Sequence, residues 1–230
     1  MKKWEELPKF MQCDEVREYY DLLSKKKLSL ILKRIFDIVA ATCILIITAI
    51  PMIIIAIKIT TESKGGVFYR QERVTTYGKK FNIHKFRTMV ANADEIGSAV
   101  TVSGDNRITP TGIFLRKYRL DELPQVFDVL SGNMSFVGTR PEVTKYVKKY
   151  TEEMRATLLL PAGITSEASI RYKNEAELID GAEDVDKVYV EQVLPGKMKY
   201  NLDSIKKFSF LGDIATMFRT VFAVLGKDYK

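Results

Sequence analysis

At 230 residues and 46% hydrophobic content the chain is long enough for one domain with a real core. A formal charge of +7 and a pI near 9.2 suit an anionic partner: a membrane surface, nucleotides or nucleic acid. Two cysteines, Cys13 and Cys43, argue against a disulfide framework or cysteine-based zinc site and for a reducing, cytosol-facing setting; His84, the sole histidine, argues against histidine triads and multi-histidine metal centres.

Residues 1–30 are polar and mixed in charge, and end on Lys25-Lys26-Lys27. Their apolar positions, Leu7, Phe10, Met11, Val16, Tyr19, Tyr20, Leu22 and Leu23, fit a short amphipathic helix on a membrane or on the domain, against the alternative of a poorly ordered terminus. The first long apolar run starts too late for a secretory signal peptide. From Ile38 to Ile57 there are about 20 uncharged residues, enough to cross a bilayer core. Lys33 and Arg34 before the run and Lys58 and Lys64 after it give no orientation bias. Pro51 interrupts it, so that a kinked through-helix and a re-entrant hairpin are both open at this point.

Gly65-Gly66 breaks the chain, and Val67 to Arg70 predicts a short strand. A turn over Thr75 to Lys80 leads to a second strand, Phe81 to Met89, whose two-residue period puts Lys85 and Arg87 on one face. Residues 90–104 read as a helix fragment and a polar loop. Pro110, with Ile113, Phe114 and Leu115, predicts a short helix that delivers Arg116 and Arg119.

Asp121 and Glu122 follow this basic run and precede Pro124, which should open a helix. Acidic residues before such a helix are commonly no more than dipole partners. Here Leu120, Leu123, Val126, Phe127 and Leu130 recur at helical spacing, which would hold the pair on a rigid element. Ser131-Gly132-Asn133 stops the helix, Met134 to Val137 reads as a short buried strand, and the turn Gly138 to Pro141 fixes Arg140, whose planar fork suits phosphate oxygens. Anion-binding groups thus flank two carboxylates, and chemistry on phosphate is the leading idea.

A helix is expected from Pro141 through Tyr150, then a hydrophobic loop, Leu158 to Gly163, bound for the core or the membrane interface. Residues 167–208 are charged and helix-compatible. Phe210 to Leu225 is an amphipathic helix for the interface or the domain surface. Asp184-Val185-Asp186 has a metal-binding spacing, but a charged loop explains it better, and neither a phosphate-binding P-loop nor a dinucleotide fingerprint occurs.

These residues resemble the bacterial sugar transferases, the monotopic phosphoglycosyl transferases. The resemblance runs over roughly residues 31–225 through Lys33-Arg34-Ile35-Phe36-Asp37, Val67-Phe68-Tyr69-Arg70-Gln71 with Arg73, and Lys85-Phe86-Arg87-Thr88-Met89. It continues through Asp105-x-Arg107-Ile108-Thr109, Leu115-Arg116, Leu120-Asp121-Glu122-Leu123-Pro124-Gln125, Met134-Ser135, Val137-Gly138, Arg140-Pro141 and Gly163-Ile164-Thr165. Departures are Ile50 where the family has serine, Asn133 and Thr139 for an acid and a proline, and Ser166 for a glycine.

The resemblance implies an α/β domain seated on the cytoplasmic face of the bacterial inner membrane, with a re-entrant helix broken at Pro51, short strands and interfacial helices. The division expected is a polar segment 1–30, a membrane helix 31–60 and a catalytic domain 61–230. It further implies transfer of a sugar phosphate from a UDP-sugar to polyprenyl phosphate, with UMP released. Asp121 would be the nucleophile and Glu122 the Mg²⁺ ligand; Lys85, Arg87, Arg116, Arg140 and Arg73 would hold phosphates. Membrane lipid is a partner, nucleic acid is not, and oligomerisation is open. A Mg²⁺-dependent UDP-sugar diphosphate hydrolase and a non-catalytic basic membrane adaptor are the rival readings.

Overall fold

The computed structural model describes residues 1–93, 105–173, 178 and 184–224. Most of the expected helix fragment and loop at 90–104, and Leu225 at the end of the last helix, lie outside them. The first helix, α1 (Asp14–Ser24), begins with two acids that complement the helix dipole. It buries Val16, Tyr19 and Leu23, and Leu7 and Met11 from the preceding turns join the same core. The amphipathic N-terminal segment therefore covers the protein itself.

Helix α2 (Lys27–Glu62) runs 36 residues and continues through Pro51, so the break expected there does not interrupt the helix. At 1.5 Å per residue a helix of this length reaches about 54 Å. One stripe, Lys33, Asp37, Ala41, Met52 and Ile59, is buried, while Ile46, Ile47 and Ile50 on another face are more than 70% exposed. Near its start, Lys33 Nζ donates to Val137 O (2.6 Å) and Arg34 donates to Val129 O (2.6 Å) and Leu130 O (2.9 Å). Asp37 Oδ1 accepts from Phe136 N at 3.2 Å. At its far end Glu62 accepts from Thr111 N (3.1 Å), and Met52 and Ile59 pack with Phe86 and Leu115. Both ends of the apolar helix are thus held by the same domain.

The strands form two small sheets. β1 (Phe68–Val74) and β2 (Lys80–Phe86) pair antiparallel, Phe68 opposite Phe86 and Val74 opposite Lys80, about a turn in which Tyr77 (φ 59°) and Gly78 (φ 77°) are left-handed. β1 is longer than the expected Val67 to Arg70, and β2 stops at Phe86, short of Met89. β3 (Met134–Val137) pairs parallel with β4 (Ala162–Thr165), Met134 opposite Ala162. Gly138 and Gly163 abut at the end of this pair: a Cβ on Gly163 would lie 2.2 Å from Gly138 N, so only glycine permits the approach.

Between the sheets come α3 (Pro110–Lys117) and α4 (Gln125–Leu130). After β3 the expected helix to Tyr150 shrinks to α5 (Thr144–Val147), and the apolar run at Leu158 enters the core at the end of a 3-10 helix, Glu153–Leu159. Then follow α6 (Glu167–Arg171), α7 (Val185–Val188), a wide π turn at Tyr189–Val193, α8 (Leu194–Lys206) and α9 (Phe210–Val224). α1, α8 and the Glu153–Leu159 segment enclose the largest apolar cluster; β2, β3 and α4 enclose a second with Ala41 of α2. The result is the mixed helix and strand fold expected, with one long apolar helix.

Candidate active site

Asp121 and Glu122 lie on a 3-10 turn, Leu120–Glu122, between α3 and α4. Thr109 caps α3 by accepting from Gly112 N at 3.0 Å, and Gly112 lies so close to the backbone of Thr88 that a Cβ would sit 2.0 Å from its carbonyl. Two residues beyond the end of α3, Arg119 adopts φ 56°, a left-handed conformation costly for a residue with a Cβ. That reversal turns the two carboxylates toward β2. Leu120 and Leu123 hold the turn on the Phe86 and Leu115 cluster, and Val126 and Val129 of α4 are buried beyond it. Pro124 precedes α4, whose six residues make too short a helix for its dipole to dominate.

The two acids stand in opposite environments. Glu122 Oε1 accepts from Arg140 (2.6 Å) and from Lys85 Nζ (2.9 Å). Burial alone would raise its pKa, but the charges of Arg140 and Lys85 and their hydrogen bonds hold it well below the usual carboxylate range. Asp121 Oδ1 is buried with no hydrogen-bond partner. Burial first, and the charge of Glu122 second, raise its pKa, against the pull of Lys85, Arg119 and Arg116. One acid is thus locked and ionised, and its neighbour carries an uncommitted oxygen.

The pair faces a cleft of about 630 Å³ whose walls include Lys85, Arg87, Arg116, Arg140 and Arg73, every cation anticipated from sequence. Their present contacts differ. Arg116 Nε donates to Thr88 Oγ1 at 2.8 Å. Arg87 spends both terminal nitrogens on the end of α2, donating to Lys64 O (2.7 Å) and Ser63 O (2.8 Å). Arg73 is tied to Pro141 O and the Gln71 side chain, and its Nε has no partner. Asp184 and Asp186 are committed to structure: Asp184 caps α7 by accepting from Lys187 N, and Asp186 accepts from Lys145 and Tyr146.

Thr88, Tyr69 and Arg107, which the sequence marked only as part of the resemblance and without a role, also line the cleft, and the contact of His84 with Asp128 on α4 was not foreseen. The signal for the last was an acid set among the apolar residues of a predicted buried helix face. A second cavity, about 640 Å³, shares Lys117, Arg119, Glu122 and Arg140 with the cleft. Its other walls include Ile44, Val126, Phe136, Ile164 and Val224, together with Lys197. A polar cleft and a largely apolar cavity therefore meet at Glu122, next in sequence to Asp121.

For a divalent cation the donor set is sparse but of the right kind. Mg²⁺ binds through one or two carboxylates and completes its shell with substrate phosphates and water, and Asp121 and Glu122 supply hard oxygens at the cleft wall. Among the described residues the one cluster of three ligand-type side chains is Cys13, Glu15 and Glu152, none of which lines the cleft.

The site thus sets two adjacent carboxylates in a cation-lined cleft, on a fold that holds one long apolar helix near both of its ends. Residues 28–227 match the bacterial sugar transferase family, and the chain belongs to it. It is 34% identical over 218 residues to the undecaprenyl-phosphate galactose phosphotransferase of Salmonella typhimurium, covering 88% of this chain and 42% of that protein. The UDP-N-acetylgalactosamine-undecaprenyl-phosphate N-acetylgalactosaminephosphotransferase of Aeromonas hydrophila is 32% identical over 197 residues, 84% of this chain and 44% of the relative. The UDP-glucose:undecaprenyl-phosphate glucose-1-phosphate transferase of Escherichia coli is 34% identical over 197 residues, 84% and 40% respectively. The chain spans about two fifths of the length of these curated relatives.

Proposed function

We propose that this protein transfers a sugar 1-phosphate from a UDP-sugar to undecaprenyl phosphate, as the names of its relatives describe for them. The observation that carries the mechanism is the contrast between the acids: Asp121 lines the cleft and has a buried oxygen with no hydrogen-bond partner, while Glu122 is clamped by two cations. A carboxylate freed from hydrogen bonds and partly desolvated is a better nucleophile than one neutralised by ion pairs.

Asp121 attacks the phosphorus that bears the sugar. The new bond is an acyl phosphate, the diphosphate bridge breaks, and UMP leaves with the bridging oxygen. A phosphate oxygen of the lipid then attacks the same phosphorus, yielding polyprenyl diphosphate sugar and regenerating the carboxylate. No glycosidic bond is broken. Arg116, Arg140 and Lys85, with Arg73 behind them, offset charge on the diphosphate. Glu122 is the group that would hold Mg²⁺, which would supply further neutralisation of the diphosphate and the departing UMP. Arg87 serves the site by holding the end of α2 beside it.

The apolar cavity that meets the cleft suits a lipid tail, with Lys117, Arg119 and Arg140 at its junction with the cleft for the lipid phosphate. In this reading α2 sits re-entrantly in the cytoplasmic leaflet of the inner membrane. Its two ends, at Lys33 and Glu62, are held by one domain, which supports an arrangement in which neither end crosses the bilayer. The exposed isoleucines face lipid and both reactants meet at the interface.

The test is UMP release from a panel of UDP-sugars, with and without undecaprenyl phosphate, by the native protein and by Asp121→Asn. Lipid-dependent release that Asp121→Asn abolishes is expected. Sustained release without lipid would mark a diphosphate hydrolase. No release from either protein would leave only a membrane-binding role and defeat the proposal.

A further inference from the structure

Next to the cleft a second acid is fully committed to one residue. Asp128 of α4 is 1% exposed, and its Oδ2 accepts from His84 N at 2.9 Å while its Oδ1 lies 2.8 Å from His84 Nδ1. A carboxylate accepts hydrogen bonds, so Nδ1 carries the proton. In an antiparallel pair alternate residues turn their N–H groups away from the partner strand. Among the described residues β2 pairs only with β1, and Asp128 takes the outward-facing N–H of His84.

The next residue along β2 is Lys85, whose Nζ lies 2.9 Å from Glu122 Oε1 on the turn that leads into α4. The links close a ring: Asp128 joins α4 to β2 at His84, and Lys85 joins β2 back to the start of the same helix at Glu122. We infer that Asp128, acting through His84, is a positioning residue that sets Lys85 against Glu122 and so fixes the locked acid of the pair. A single hydrogen bond to the backbone would allow the strand to rock about it. Two bonds from one carboxylate to one residue fix both its backbone and its ring, and Lys85 inherits that position. The inference rests on the proposed role of Asp121 and Glu122.

The experiment is a double-mutant cycle on sugar-phosphate transfer by the full chain in lipid or detergent. Asp128→Leu keeps a similar volume but removes both acceptors, which no change of histidine tautomer can replace. It should lower kcat about tenfold or more, the size seen when a residue supporting a site's ligand is removed, with KM for the UDP-sugar moved less than about twofold. In a Lys85→Met background the same change should cost less than about twofold further. A merely structural role would instead multiply the two losses, and that result would overturn the inference.

Where Lys85→Met is too slow to assay, His84 decides: His84→Asn, which can present an N–H to Asp128, should retain most activity, and His84→Leu, which keeps the backbone bond but loses the ring bond, should fall severalfold below it, toward Asp128→Leu. Equal activity of the two His84 variants would also overturn it. If Asp121→Asn and Lys85→Met both turn over normally, the site reading itself has failed, an outcome distinct from either result of the cycle.

Discussion

Two adjacent carboxylates have been given different work by their neighbours. Asp121 binds a proton more readily in the folded protein than in an unfolded chain, because burial and the charge of Glu122 disfavour its anion. Any stability it contributes is therefore full below its unfolded pKa, near 3.9 for aspartate, and is lost as pH rises through the higher folded value. Asp121→Asn removes that strain, so its melting temperature at neutral pH should equal or exceed the native value while turnover disappears. Thermal unfolding and transfer assays on one preparation check both halves. The same shift places the acidic limb of kcat/KM above the pKa of an aspartate in an unfolded chain, and a limb at or below that pKa would contradict the environment assigned to Asp121.

Glu122 runs the other way. Its lowered pKa means it favours the fold above the unfolded glutamate pKa, near 4.3, and that contribution is lost as pH falls through the folded value. Glu122→Gln leaves Lys85 and Arg140 without their anion and should cost about 1–3 kcal/mol of stability. It should also lower activity steeply and raise the Mg²⁺ requirement. Chemical denaturation and a metal titration are the measurements; unchanged metal dependence would move the ligand elsewhere. Sequence alone made the pair legible, through its basic flank and the turn at Arg140. The division of labour was not legible, since it depends on Lys85 and Arg140, which lie 37 and 18 residues away along the chain.

At the scale of elements, α2 is held at both ends, and the two ends use different chemistry. Near the start, Lys33, Arg34 and Asp37 bind backbone groups of β3 and α4; at the far end Arg87 accepts the role of a cap on the last carbonyls. Arg87→Met should therefore destabilise the protein by about 1–3 kcal/mol, as carbonyls lose a charged donor, with a smaller effect on KM for the UDP-sugar. Denaturant midpoints and steady-state kinetics separate the two. Cysteines replacing Lys3 and Lys64, in a background lacking Cys13 and Cys43, should both be shielded from an impermeant thiol reagent added outside intact cells. Labelling of position 3 but not 64 would establish a through-spanning helix.

Long apolar or alternating runs announced α2, β2 and α9. Four-residue β4 had no such signal: Ala-Gly-Ile-Thr carries no usable period, and its strand character comes from β3 alongside it. The helix expected after Pro141 stopped at Val147 for a related reason, since the polar run beyond it competes with turns that core packing selects. Around α1 the apolar spacing was readable, but spacing does not say which surface an amphipathic helix covers. Here that surface is α8 and the Glu153–Leu159 segment.

Across the whole molecule, the site lies where a hairpin, a short helix pair and the β3–β4 unit converge beside the apolar helix. Every cation singled out from sequence lines one cleft, because the resemblance marked positions that only the tertiary fold gathers. What sequence could not give was the second, apolar cavity, built from residues as distant as Ile44 and Val224, or its junction with the cleft at Glu122 and Arg140. In the proposed reaction that junction would let the sugar phosphate be loaded from the polar side and collected from the lipid side. The covalent intermediate is the most direct test. Native protein mixed with a labelled UDP-sugar in the absence of lipid should gain the mass of one sugar phosphate, mapped by peptide analysis to Asp121, and should lose it when undecaprenyl phosphate is added. Label on another residue, or turnover to lipid product with no adduct under rapid quenching, would contradict the account.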